Sequence, residues 1–155
     1  MVSRVIPVEP FDLVVFGGTG DLAQRKIIPG LYRRFWAGQI PAESCIIGAA
    51  RAALDDDGFR KMARAAIEEF VPKGKQDPQV IEAFVARLGY VAIDAMGTGG
   101  WDVLKERMRD DRVRVFYFSV APSLFGQLAE RLHDHQIADA NSRIVVEKPF
   151  GRDLT

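Results

Sequence analysis

"FGGTGDLAQRK", Phe16–Lys26, is the stretch on which the reading of this sequence turns. It carries three glycines, one acid and two bases, and it follows the apolar run "FDLVV". Gly18-Thr19-Gly20-Asp21-Leu22-Ala23 fits a G-x-G-x-x-A spacing, and Gly17-x-x-Gly20-x-x-Ala23 fits a variant starting one place earlier. Between a strand and a helix, each small residue has a separate use. One glycine permits the tight turn, another lets backbone approach a pyrophosphate, and Ala23 lets helix and strand pack closely. The helix start adds free N–H groups and the positive end of its dipole. A ligand-free turn makes similar demands, but placement at the first strand of an α/β pattern favours a nucleotide. Asp21 is awkward beside phosphate. It is expected to cap backbone N–H groups or to pair with a nearby base.

Working outward, five apolar runs read as buried strands: 12–16, 45–49, 90–94, 113–120 and 142–147. Most are short and rich in β-branched residues, which suits a parallel sheet covered on both faces. Helical stretches separate them, at 21–39, 55–71, 77–89, 100–111 and 122–136. Pro29 and Gly30 are expected to kink or break the first. Asp55, Asp56 and Asp57 favour a helix start, and Asp77-Pro78 with Gly89 gives a start and a stop. Strands alternating with helices predict a doubly wound parallel sheet of about five strands in a three-layer αβα arrangement. The 155 residues suit one domain. The sequence closes on "EKPFGRDLT", running to Thr155 just after a strand with a new element starting, as expected of a fragment.

The bulk numbers narrow the function. Lys+Arg 21 balance Asp+Glu 21, so charge gives no reason to expect nucleic acid or an anionic membrane as partner. No apolar run approaches the ~20 residues of a membrane span. The N-terminus lacks the long apolar core of a signal peptide. Cys45 is the single cysteine, which excludes an internal disulfide and a cysteine metal cluster and suits a reducing, cytoplasmic setting. None of Tyr32, Tyr90 or Tyr117 has a lysine four places on, as a short-chain reductase requires. The phosphate loop G-x-x-x-x-G-K-[ST] and the hydrolase motif G-x-S-x-G are absent as well.

The coenzyme can be read further. An NAD site expects an acid at the end of the second strand, for the ribose hydroxyls. Here the strand ends "GAAR", and Arg51 takes that place, where a guanidinium can hold a 2′-phosphate. NADP is favoured, with NAD possible; the bland alternative is an exposed arginine or a partner of Asp55–Asp57. Ile93 and Asp94 end the third strand, and Ala121-Pro122 follow the fourth, all at the edge where ligands bind in such sheets. Pro122 also suits the first turn of the next helix. Lys148, in "VVEKPFG", lies at the same edge, and a cis Lys148–Pro149 bond would aim it.

Taken together, "GGTGDLAQRK", "GAAR" and "EKPFGRDL" resemble the N-terminal coenzyme domain of the glucose-6-phosphate dehydrogenase family, from about Phe11 to the end. The resemblance implies a Rossmann-like NADP-binding domain over 1–155, with the substrate and dimerisation domain absent. It implies that Gly17, Gly18, Thr19, Gly20, Asp21, Leu22 and Ala23 hold the pyrophosphate and Arg51 the 2′-phosphate. Ile93 and Asp94 then line the adenosine side. Ala121 and Pro122 border the nicotinamide, although Ser123 stands where the family has a second proline. Lys148 would touch coenzyme and sugar, and Lys26 would approach the substrate. The family reaction oxidises glucose 6-phosphate at C1 to 6-phosphogluconolactone, with hydride passing to NADP, in homo-oligomeric cytoplasmic enzymes of the pentose phosphate pathway.

One departure is decisive. The family's general-base histidine lies in an R-I-D-H-Y segment that this sequence lacks, and its place is expected beyond Thr155. His133 and His135 match no family position. No catalytic residue is therefore expected up to Thr155, and the fragment alone is expected to be inactive. The alternative is a stand-alone NAD(P)-binding or assembly module.

Overall fold

The run after Pro10 forms β1 (Phe11–Phe16), and every side chain from Asp12 to Phe16 is buried. A strand covered on both faces needs continuous apolar sequence, not alternation. A computed structural model describes residues 10–41, 43–94, 99–108, 112–139 and 142–146. After β1 a π-helical turn (Ala23–Ile27) leads into α1 (Ile28–Trp36). Then come β2 (Cys45–Ala50), α2 (Asp56–Phe70), a 3-10 turn (Lys73–Lys75), α3 (Pro78–Val85) and β3 (Leu88–Ala92). The chain goes on through α4 (Trp101–Arg107), β4 (Val113–Phe118), a second 3-10 turn (Pro122–Leu124), α5 (Phe125–Asp134) and β5 (Arg143–Val146).

All pairings are parallel, in the order β3-β2-β1-β4-β5. Leu13 and Val15 face one core with α1, α2 and α3, built on Tyr32, Phe59 and Phe84. Val14 and Phe16 face a second core with α4 and α5, built on Trp101, Phe116 and Leu128. This is the expected three-layer, doubly wound sheet. The chain leaves β1 toward β2 on one side and later returns to β4 on the other. A crevice therefore opens at the carboxyl ends of β1 and β4, the usual ligand position in open α/β sheets.

Several boundaries differ from the sequence reading. The expected break at Pro29-Gly30 falls earlier. Ile28 donates its N–H to Ala23 O, a bond that spans five residues, and the helix then runs on through Pro29. Proline has no N–H and its ring crowds the carbonyl four residues back; the widened turn before it absorbs both defects. The third strand starts at Leu88 and ends at Ala92, so Gly89 lies in a strand and does not stop a helix. A Cβ on Gly89 would press on the Arg107 guanidinium. The glycine thus lies under a tertiary contact and not at a helix cap. The fourth strand ends at Phe118, two residues early. The segment running from Glu147 to Thr155, where the sequence suggests a new element, falls outside the described residues.

The outer edge of β3 is closed by side chains. Asp56 Oδ1 accepts the Tyr90 N–H at 2.8 Å, and Arg60 Nε donates to Leu88 O at 2.9 Å. Arg107 reaches Asp56 at 3.2 Å. An edge with its backbone groups occupied cannot recruit another strand. Burial alone would raise the Asp56 pKa. Hydrogen bonds from Arg107 and the Tyr90 N–H, with the charges of Arg107 and Arg60, outweigh it and hold the carboxyl below its ordinary value. The stabilisation is then complete above the unfolded pKa, about pH 4, and is lost as pH falls through the lower native value. Asp56→Asn is expected to cost about 1 kcal/mol at neutral pH, a modest figure because the side chain is 35% exposed and screened. Urea unfolding should show the gap to wild type shrinking as pH falls below the ordinary carboxylate range; a gap that stays constant through acid pH contradicts this role.

Candidate functional site

The site grows from the turn after β1. Gly17 has φ +83°, and a Cβ there would overlap the Ser119 carbonyl oxygen at the end of β4. Only glycine meets both conditions without strain. Gly18 lies against Gly48 of β2, its built Cβ 3.1 Å from the Gly48 Cα. Gly48 in turn leaves room for the Phe59 ring. The loop is tied internally: Gly17 N–H donates to Ala49 O at 2.8 Å, and Gly20 N–H to Gly17 O at 2.9 Å. The Gln24 side chain donates to Gly18 O at 2.7 Å.

The first helix-type bond runs from Gln24 N–H to Gly20 O at 3.0 Å. The N–H groups of Asp21, Leu22 and Ala23 thus precede any intrahelical acceptor, as at every helix start. They point where an anion is favoured. Ala23 is fully buried in the first core, in the packing role expected of it. Leu22 packs against the same core. Asp21 makes no capping bond. Its carboxylate is 82% exposed and meets Arg25 at 3.3 Å, the second of its two expected fates.

Beside the loop lies a cavity of about 420 Å³. It brings together Gly17, Thr19, Gly20, Arg51, Ile93 and Asp94 from the predicted set. Arg51 is exposed in the turn after β2, and among the described residues it makes no hydrogen bond or ion pair. The aspartates that could have claimed it are engaged elsewhere. Asp55 caps α2 through the Gly58 N–H, Asp56 meets Arg107, and Asp57 meets Arg60 at 3.6 Å. Ile93 and Asp94 sit just past β3, not within it, and the Ile93 N–H donates to Ala50 O at 2.8 Å.

Other predicted residues stand apart. Ala121 and Pro122 are exposed after β4 and do not line the cavity; Pro122 opens the 3-10 turn, its simpler role. Lys26 is exposed on the π-helical turn and also lies off the cavity. Lys148, its bond to Pro149 and the last residue, Thr155, fall outside the described residues. The expectation that the general base lies beyond Thr155 therefore stands on the sequence. Ser119, Val120 and Leu124, with the alanines at the end of β2, are among the other lining residues and are not singled out by the sequence. His133 and His135 are elsewhere: His135 stacks on Trp101 at 5.7 Å, and neither lines the cavity.

The arrangement fits a dinucleotide on its own geometry. Three glycines let the loop pack against Ser119, Gly48 and itself where a Cβ would crowd, and the helix-start N–H groups lack intrahelical acceptors, the arrangement that favours an anion. A guanidinium unpartnered among the described residues stands at the second strand. The glucose-6-phosphate dehydrogenase NAD-binding domain model matches residues 14–155. The chain belongs to the glucose-6-phosphate dehydrogenase family. It is similar to glucose-6-phosphate 1-dehydrogenase of Rhizobium meliloti (strain 1021), 49% identical over 156 residues, covering 99% of this chain and 32% of that protein. The same enzyme of Gluconobacter oxydans (strain 621H) is 47% identical over 95% of the chain and 31% of its own length. The solved structure of the Mycobacterium avium enzyme superposes with a TM-score of 0.81 at 33% identity, over 92% of this chain and 30% of that one. The chain thus spans about a third of the length of these relatives, as their nicotinamide-dinucleotide-binding domain. Among the described residues no helix is long and apolar enough to cross a membrane, and no cluster of His, Cys, Asp or Glu could hold a metal.

Proposed function

We propose that this chain is the coenzyme-binding domain of a cytoplasmic, homo-oligomeric enzyme that oxidises glucose 6-phosphate at C1 with NADP. The observation that carries the reading is the Arg51 guanidinium, unpartnered among the described residues, beside a glycine loop in one cavity. The N–H groups of Thr19, Asp21, Leu22 and Ala23 receive the pyrophosphate, and Arg51 receives the 2′-phosphate through charge-assisted hydrogen bonds. Ile93 and Asp94 border the adenosine. The family resemblance assigns Ala121 and Pro122 to the nicotinamide, and Lys26 and Lys148 to the sugar phosphate. Bound NADP supplies the hydride acceptor. A related solved structure is titled as glucose-6-phosphate dehydrogenase in complex with glucose 6-phosphate, at 26% identity and a TM-score of 0.81, which supports the substrate.

Oxidation of a C1 hydroxyl needs a base within hydrogen-bond reach of the leaving proton. Neither His133 nor His135 lines the cavity. The expected result is that the purified 155-residue chain binds NADP yet shows no glucose 6-phosphate-dependent rise in reduced-nicotinamide absorbance. Turnover by this chain overturns the assignment of the base to sequence beyond Thr155. Failure to bind either coenzyme overturns the coenzyme reading itself.

A further inference from the structure

Arg51 stands on a turn with no hydrogen bond or ion pair of its own among the described residues, so something else must fix where it points. The carbonyls on either side of it are held by one group. Tyr90 of β3 directs its hydroxyl to Ala52 O at 2.7 Å and to Ala50 O at 3.0 Å. The single phenolic proton is shared between two acceptors that straddle Arg51. Tyr90 is itself immobilised. It is 3% exposed, its ring packs on Phe59 at 5.4 Å, and its N–H is held by Asp56. Burial pushes the phenol pKa up, so the hydroxyl keeps the proton it donates. Two backbone bonds complete the frame: Leu54 N–H to Ala52 O, and Ile93 N–H to Ala50 O.

We infer that Tyr90 is a positioning residue for coenzyme choice: its hydroxyl staples the β2–α2 turn so that Arg51 faces the 2′-phosphate of NADP. The inference rests on the proposed role of Arg51 as the 2′-phosphate ligand. A staple of this kind acts selectively. The glycine loop, which reads the pyrophosphate common to both coenzymes, is tied to Ala49 O and not to the two carbonyls that Tyr90 holds, so NAD should lose little when the hydroxyl is removed.

The test is a double-mutant cycle on coenzyme binding, with wild type, Tyr90→Phe, Arg51→Ala and the double variant each titrated with NADP and NAD. Phenylalanine keeps the ring against Phe59 and removes only the hydroxyl. NADP affinity should fall about three- to tenfold in Tyr90→Phe, the range of one hydrogen bond. NAD affinity should change less than about twofold, and retained NAD binding reports that the variant is folded. In the Arg51→Ala background, Tyr90→Phe should have almost no further effect on NADP. An unchanged NADP affinity, an equal loss for both coenzymes, or the same loss without Arg51 overturns the inference and leaves Tyr90 a packing residue. An Arg51→Ala variant that keeps the wild-type NADP-to-NAD ratio fails differently: it removes the 2′-phosphate reading, and the inference with it. Tyr90→Leu, which also lacks the hydroxyl, is read in the same way if Tyr90→Phe binds neither coenzyme.

Discussion

Gly17→Ala is expected to abolish measurable coenzyme binding and to destabilise the domain by about 3 kcal/mol or more. Two independent costs add. A non-glycine residue at φ +83° sits in the left-handed region, at about 1–2 kcal/mol. The new methyl also drives into the backbone carbonyl of Ser119, just past β4 and tied by its N–H to Phe16 O, which cannot step aside as a flexible side chain could. Overpacking of that kind costs roughly 1–3 kcal/mol more. Any relief moves the loop away from Ala49 O, and with it the helix-start N–H groups that face the ligand. Gly30→Ala is the matched control. Nothing lies within 4 Å of its built Cβ, and it sits inside α1. There the change should stabilise by about 0.5–1 kcal/mol, the ordinary helix preference for alanine. Denaturant melts of the two variants should move in opposite directions; equal shifts contradict the account of the loop.

The second large effect concerns Arg51. Arg51→Ala is expected to weaken NADP by roughly 10- to 100-fold, the range for charge-assisted hydrogen bonds to a phosphate, while leaving NAD nearly unchanged. No folding cost is expected, because the side chain is exposed and holds no partner among the described residues. Arg51→Lys should recover only part of the affinity. A lysine restores the charge but not the planar pair of donors that grips two phosphate oxygens. The NADP advantage should also shrink at high salt, since an exposed pair is screened.

Much of this is readable in the residues, for identifiable reasons. The inner strands β1 and β2 announce themselves because burial on both faces demands unbroken runs such as "DLVVF" and "CIIGA", whereas β5, read as buried from its apolar run, is exposed along its described length at the sheet edge. The glycine loop is legible because its chemistry is local: turn, close approach and helix start fall within a few residues. Arg51 is legible from its place after the second strand. What escapes reading depends on contacts far apart in sequence. Gly89 reads as a helix stop, yet it makes room for Arg107, which crosses the edge strand to Asp56. Gly48 has no local signal, but it lets Phe59 and the glycine loop meet over β2. Tyr90 passes as one more apolar strand residue, since nothing in "LGYVAID" says that its hydroxyl reaches back to the Arg51 turn. The break in the first helix is misplaced because Pro29 marks where a hydrogen bond is lost, while the backbone adjusts one turn earlier.

If Arg51 makes the cavity beside the glycine loop selective for a 2′-phosphorylated dinucleotide, coenzyme preference must follow that one side chain. Calorimetric titration of NADP and NAD into the wild-type chain and Arg51→Ala tests it most directly. NADP should bind tighter than NAD by at least about tenfold in the wild type, and that preference should be lost in the variant. Equal affinities for the two coenzymes in the wild-type chain would contradict it.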